Sequence, residues 1–208
     1  MSPPIALDYA SVLIFALTGA LVDSRAQLDL VGFLFVACLT AVGGGTVRDL
    51  LLDRNPVFWV DAPSYVLLAS AAAAVVFFTA HLLESRYRVL VWLDAIALSV
   101  AVSAGVAAAL ETDQRVIIVA LMGVITGCFG GLMRDVVCNE VPLVLKAGEL
   151  YVTAAFAGAV ASVATAALTT HPDLPLVACT LVTFGLRAGS IQLGWRLNAY
   201  KPYPPRHK

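Results

Sequence analysis

Seven blocks of apolar residues, each long enough to cross a lipid bilayer, constrain this chain more than any other feature. Their approximate limits are 5–23, 29–54, 63–83, 89–110, 115–138, 147–169 and 174–195, and the links between them carry turn or charge signals such as "DSRAQLD", "ESRYR" and "THPDLP". In lipid, only helices and closed barrels satisfy their own backbone, and runs of this length exclude barrel strands. The reading is therefore an all-α integral membrane protein with seven transmembrane helices, a single membrane domain over residues 1–208. Composition agrees: 13% of residues are charged, against about 25% in soluble domains, and mean hydropathy is +0.88. A net charge of −1 offers no basic face to nucleic acid. Cys38, Cys128, Cys138 and Cys179 lie in or at the ends of apolar runs without metal-ligand spacing, so neither a disulfide framework nor a metal site is expected.

Lysine and arginine set the direction of insertion. With the N-terminus outside, Arg25, Arg86, Arg88, Lys146, Arg196, Lys201, Arg206 and Lys208 fall on the cytoplasmic side, and only Arg54 and Arg115 fall outside. The C-terminus is then cytoplasmic, and residues 196–208 form a basic tail.

Displacing the chain against itself by 86 positions brings rare residues into register. Asp8 meets Asp94, Gly19 meets Gly105, Gly44-Gly45 meets Gly130-Gly131, Arg48-Asp49 meets Arg134-Asp135, and Pro56 meets Pro142. Residues 5–85 thus form one repeat and 89–170 a second. Each holds three spans, so the second copy enters the bilayer from the opposite side. The result is an inverted 3+3 repeat with the helix at 174–195 as an addition, a plan that places binding or permeation near the midplane.

"GGGTVRD" in the second span and "FGGLMRD" in the fifth put Gly43, Gly44, Gly45, Gly130 and Gly131 beside Arg48, Asp49, Arg134 and Asp135. Glycine weakens a helix by about 1 kcal/mol per residue relative to alanine, so both helices are expected to break there. An intramembrane charge costs about 2.5–3.5 kcal/mol and demands a partner or water. Because adjacent helical residues point apart, Arg48 and Asp49 are expected to look elsewhere, as are Arg134 and Asp135. Asp8 with Arg48, and Asp94 with Arg134, are the expected partners in opposite leaflets, and Arg187 falls near the inner pair. Thr18, Thr40, Ser99, Ser103 and Thr126 could line a path for a small cation or bond to their own helical carbonyls. Glycine pairs also serve as packing surfaces, and Arg–Asp pairs as locks; their coincidence at both sites favours permeation. No catalytic motif is present, so an enzyme is not expected.

At these residues the chain resembles the trimeric intracellular cation (TRIC) channel family, in its small prokaryotic branch. The likeness rests on "GGGTVRD", "GGLMRD", Pro56, Pro142 and the three-plus-three-plus-one layout, and extends over residues 5 to about 196. It implies a homotrimer in a prokaryotic plasma membrane, with one hydrated pore per protomer between the first, second, fourth and fifth spans. The pore would carry potassium and, less selectively, sodium, with the five glycines as kinks and no cofactor. Because the same bacterial family is also associated with glycine transport, the alternative is a secondary transporter of a small zwitterion. A third reading is a membrane scaffold.

Overall fold

A computed structural model of the protein describes residues 3–83 and 85–198. The helices are α1 (Pro3–Ala26), α2 (Leu30–Leu51), a four-residue α3 (Phe58–Asp61), α4 (Ser64–Thr79), α5 (Arg86–Glu111), α6 (Val116–Val137), α7 (Val152–Leu168) and α8 (Leu174–Leu193). A 3-10 turn at Ala80–Leu82 extends α4, and another at Leu143–Leu145 lies in the link after α6. Among the described residues, six helices are long and apolar enough to span a bilayer, and α7 is a shorter apolar helix of 17 residues. It starts five residues later than the sequence suggests, because the 3-10 turn and Gly148, at φ +85°, turn the chain before Val152. Most of the basic tail, from residue 199 onward, lies outside the described residues.

Local chemistry sets the helix ends. Asp29 caps α2 by accepting from the Gly32 amide at 2.8 Å. After α2 and α6 the chain turns through left-handed residues, Asp53 and Asn139, with φ near +50°. The Arg54 amide then reaches back to the Asp49 carbonyl at 2.9 Å, and the Glu140 amide to the Asp135 carbonyl at 2.8 Å. These two ends are 86 positions apart and close in the same way.

α1, α2, α5 and α6 form the centre: α1 packs on α2 and α5, α5 on α6, and α2 on α6. α4 covers α1 and α2, α7 covers α6 and part of α5, and α8 packs on α5 and α7. Contacts between links join segments on the same side. Arg25 reaches Glu140 at 3.2 Å, and Arg86 reaches the Ser24 carbonyl at 3.0 Å. At the opposite end Arg54 reaches Glu111 at 3.6 Å, and Tyr9 bonds Ser64 at 2.6 Å.

The partition of residues is that of a membrane protein. Val31, Phe35, Leu67, Phe78, Ile117 and Leu168 are exposed, while the largest fully buried side chains are Arg48, Arg134 and Arg187. Lipid solvates the first set. The arginines must find their partners inside.

The glycines do not break their helices. α2 runs uninterrupted through Gly43 to Gly45, and α6 through Gly130 and Gly131. The physical reason is close approach. A Cβ on Gly44 would collide with the Thr126 carbonyl oxygen, and one on Gly130 with the Thr40 carbonyl oxygen. Two intact helices cross with backbone against backbone, which only glycine permits.

Candidate functional site

The crossing of α2 and α6 lies between two buried ionic clusters. In the one near the N-terminal end of α1, termed outer after the orientation expected from the basic links, Arg48 donates from Nη1 to Asp8 Oδ1 and from Nε to Asp49 Oδ1, each at 2.8 Å. Asp49 Oδ2 accepts from the Phe58 amide at 2.9 Å, which ties the α3 link onto the cluster. The Phe58 ring lies under the Arg48 guanidinium, 5.4 Å from its centroid, and packs on Gly45. In the inner cluster, Arg134 donates from Nη1 to Asp94 Oδ1 at 3.1 Å and from Nε to Asp135 Oδ1 at 2.7 Å. Asp135 Oδ2 accepts from the Leu143 amide at 2.8 Å. One cluster thus joins α1, α2 and the link after α2, and the other joins α5, α6 and the link after α6.

The expectation that neighbouring Arg and Asp look apart is overturned in both copies. The rule concerns Cβ directions. An arginine has three methylenes before Nε, enough to swing its guanidinium back over the carboxylate of the next residue. In both clusters Nη2 has no protein partner, and in the inner one Asp94 Oδ2 has none either.

The candidate hydroxyls are occupied by their own helices. Thr18 donates to the Phe15 carbonyl, Thr40 to Val36, Ser99 to Ile96 and Thr126 to Met122, at 2.6 to 2.8 Å. Ser103 bonds Thr180 of α8 at 2.7 Å. Thr40 and Thr126 have a second part: each is wedged between two glycines. A Cβ on Gly19 would come within 2.9 Å of Thr40 Oγ1, and one on Gly105 within 2.5 Å of Thr126 Oγ1. Gly43 lies against the Met133 sulfur, and Gly131 against Asp94 and the Tyr151 hydroxyl.

Space is distributed unequally. A vestibule of about 390 Å³, lined by Asp8, Asp49, Arg54, Phe58, Asp61 and Tyr65, opens at the outer cluster. Beyond Phe58 and Asp8, a cavity of about 10 Å³ lies against Ser11, Phe15, Gly44, Gly45 and Thr126. It holds one water at most. At the crossing itself Gly44 meets the Thr126 backbone directly.

The inner cluster is more deeply covered than the outer. Asp94 is 0% exposed, and the side chain of Asp8 is 16% exposed. Tyr151 covers the inner cluster, and Arg187 of α8 covers Tyr151 at 4.9 Å while pairing with Glu149 at 2.7 Å. Sequence reasoning missed Phe58, Tyr151 and Glu149 as neighbours of the clusters, and missed the wedge formed by Gly19 and Gly105. The 86-residue offset already marked the two glycines. Phe58 and Glu149 carry no such mark.

Comparison with known proteins places this geometry. The family model described as "Glycine transporter" matches twice, over residues 5–81 and 91–167, and the second match begins and ends 86 positions after the first (91 − 5 and 167 − 81). A "UPF0126 membrane protein" of Vibrio cholerae is 35% identical over 196 residues, covering 92% of this chain and 80% of that protein. The "UPF0126 inner membrane protein YadS" of Escherichia coli is 38% identical over 158 residues, 74% of each chain. The solved TRIC trimeric intracellular cation channel orthologue from Rhodobacter sphaeroides is 44% identical, with a TM-score of 0.90 over 93% of this chain and 100% of that one.

Proposed function

The chain belongs to the trimeric intracellular cation channel family, and from that premise we propose that it conducts potassium, and less selectively sodium, across a prokaryotic inner membrane. Each protomer of a homotrimer carries its own path between α1, α2, α5 and α6, with the N-terminus outside and the C-terminus in the cytoplasm. The two halves act as inverted copies. The double family match and the reciprocal contacts of Gly44 with Thr126 and Gly130 with Thr40 support that relation.

The observation that carries the reading is the charge of the two clusters. Each binds one guanidinium with two aspartates, Arg48 with Asp8 and Asp49, and Arg134 with Asp94 and Asp135. One carboxylate in each is uncompensated: Arg54 lies 3.9 Å from Asp49, but it is shared with Glu111 at 3.6 Å. A path passing both favours cations and rejects anions. Opening separates α2 from α6 at the glycine crossing, and little holds them there beyond dispersion between backbones. Thr40 and Thr126 then face water, and their hydroxyls replace part of the hydration of a passing ion. No resident cofactor or metal enters this mechanism.

Purified protein in planar bilayers under a potassium gradient tests it: unitary currents reversing near the potassium equilibrium potential are expected. One observation favours the second reading, transport of a small zwitterion such as glycine. The family description names it, and a conformation with an outer vestibule and a covered inner cluster suits alternating access. Saturable glycine uptake without unitary currents would replace the channel by that reading.

A further inference from the structure

Asp23 lies near the inner end of α1 and has no counterpart in the repeat, since 23 + 86 falls on Ala109. It is 0% exposed. Oδ1 accepts only from the Cys138 thiol, at 3.7 Å, and Oδ2 has no partner. The nearby opposite charge is Arg134, already engaged by Asp94 and Asp135. The other cations around this end do not reach the Asp23 carboxylate. Glu140 is paired with Arg25, and Arg86 donates to the carbonyls of Ser24 and Ala80. A carboxylate buried with one weak thiol donor needs a counter-charge of its own, which is a proton or a metal cation.

We propose that Asp23 is the inner cation-binding position of the conduction path, holding a proton in this conformation and a permeant monovalent cation when the inner end is hydrated. The inference rests on the channel reading for its place in the path. The exchange balances one for one: the carboxylic proton passes to water as one potassium or sodium ion binds the carboxylate. The consequence is directional. Acid on the cytoplasmic side refills Asp23 with protons and blocks current, whereas acid outside reaches it only through the narrow crossing in competition with permeant cations, and blocks less.

Bilayer recordings on Asp23→Asn, Asp23→Glu and Glu140→Gln test this. Wild type, Asp23→Glu and Glu140→Gln are expected to lose current several-fold when one chamber alone is acidified. Asp23→Asn should carry a smaller current with no such response. Wild-type current and acid block retained in Asp23→Asn would overturn the proposal. An infrared difference measurement on protein in liposomes is independent of conduction. At fixed pH, potassium should deplete a protonated-carboxyl band in wild type but not in Asp23→Asn; no potassium-dependent loss in wild type overturns the site. Absence of any wild-type current would defeat the channel reading alone, and the infrared result would still decide Asp23.

Discussion

At the scale of the residue, the clusters look alike and differ in what surrounds them. Arg134 and Asp94 are both fully buried, whereas the Asp8 carboxylate borders the outer vestibule. Breaking a buried pair leaves an uncompensated charge and costs about 3–5 kcal/mol. Asp94→Ala is therefore expected to lower the thermal midpoint in detergent clearly more than Asp8→Ala, because water from the vestibule can solvate Arg48 in the latter. Equal losses would mean that the outer cluster is as dry as the inner one. The pairing of Asp8 with Arg48 and of Asp94 with Arg134 was legible in the sequence, because a charge inside an apolar span must find another at the same depth. The second carboxylate on each arginine was not. Spacing along a helix describes where Cβ points and is silent on how far a long side chain bends back.

At the scale of the element, glycine was read as a weak point and acts as a contact. The signal in "GGGTVRD" and "FGGLMRD" is real, but a sequence cannot say whether a second helix lies against the glycines. Where one does, the loss of helix propensity is offset by packing. Gly44→Ala places a methyl against the Thr126 carbonyl, a backbone atom that cannot turn aside. Destabilisation of about 1–3 kcal/mol is expected in a thermal melt. Gly185→Ala in α8 is the control, since nothing lies within 4 Å of a Cβ there, and it should be neutral or gain up to about 1 kcal/mol. If both substitutions behave alike, the crossing is looser than described. α8 supplies a second test. The Arg187–Glu149 pair fastens it over Tyr151, with Arg187 fully buried and the Glu149 side chain 31% exposed, so Glu149→Gln, which keeps an acceptor and loses the charge, should cost about 1–3 kcal/mol of stability. It should still speed amide exchange in the link between α6 and α7; unchanged exchange there would show that the pair does not fasten α8.

At the scale of the whole molecule, the order of insertion can be tested directly. In a background without Cys38, Cys128, Cys138 and Cys179, Glu111→Cys should react with an impermeant thiol reagent from outside the cell. Glu140→Cys should react only after the cytoplasmic face is exposed. Labelling of both from one side would contradict the alternating spans and, with them, the opposed halves. What the sequence by itself determined follows from rules that act at any place along the chain. Apolar length dictates helices long enough to span lipid, and the charges inside them dictate partners at the same depth; the basic links give an expected direction, and the offset shared by rare residues an expected pair of halves. What only the tertiary structure decided depends on which surfaces meet. The four-residue α3 brings Phe58 onto Gly45, and α8, which has no counterpart in the repeat, fastens over Tyr151. Glycine at the crossing joins helices instead of breaking them, and Asp23 is left with a single weak thiol donor. Each of these is a contact, or a missing one, between residues far apart in the chain, and neither periodicity nor composition encodes separation in space.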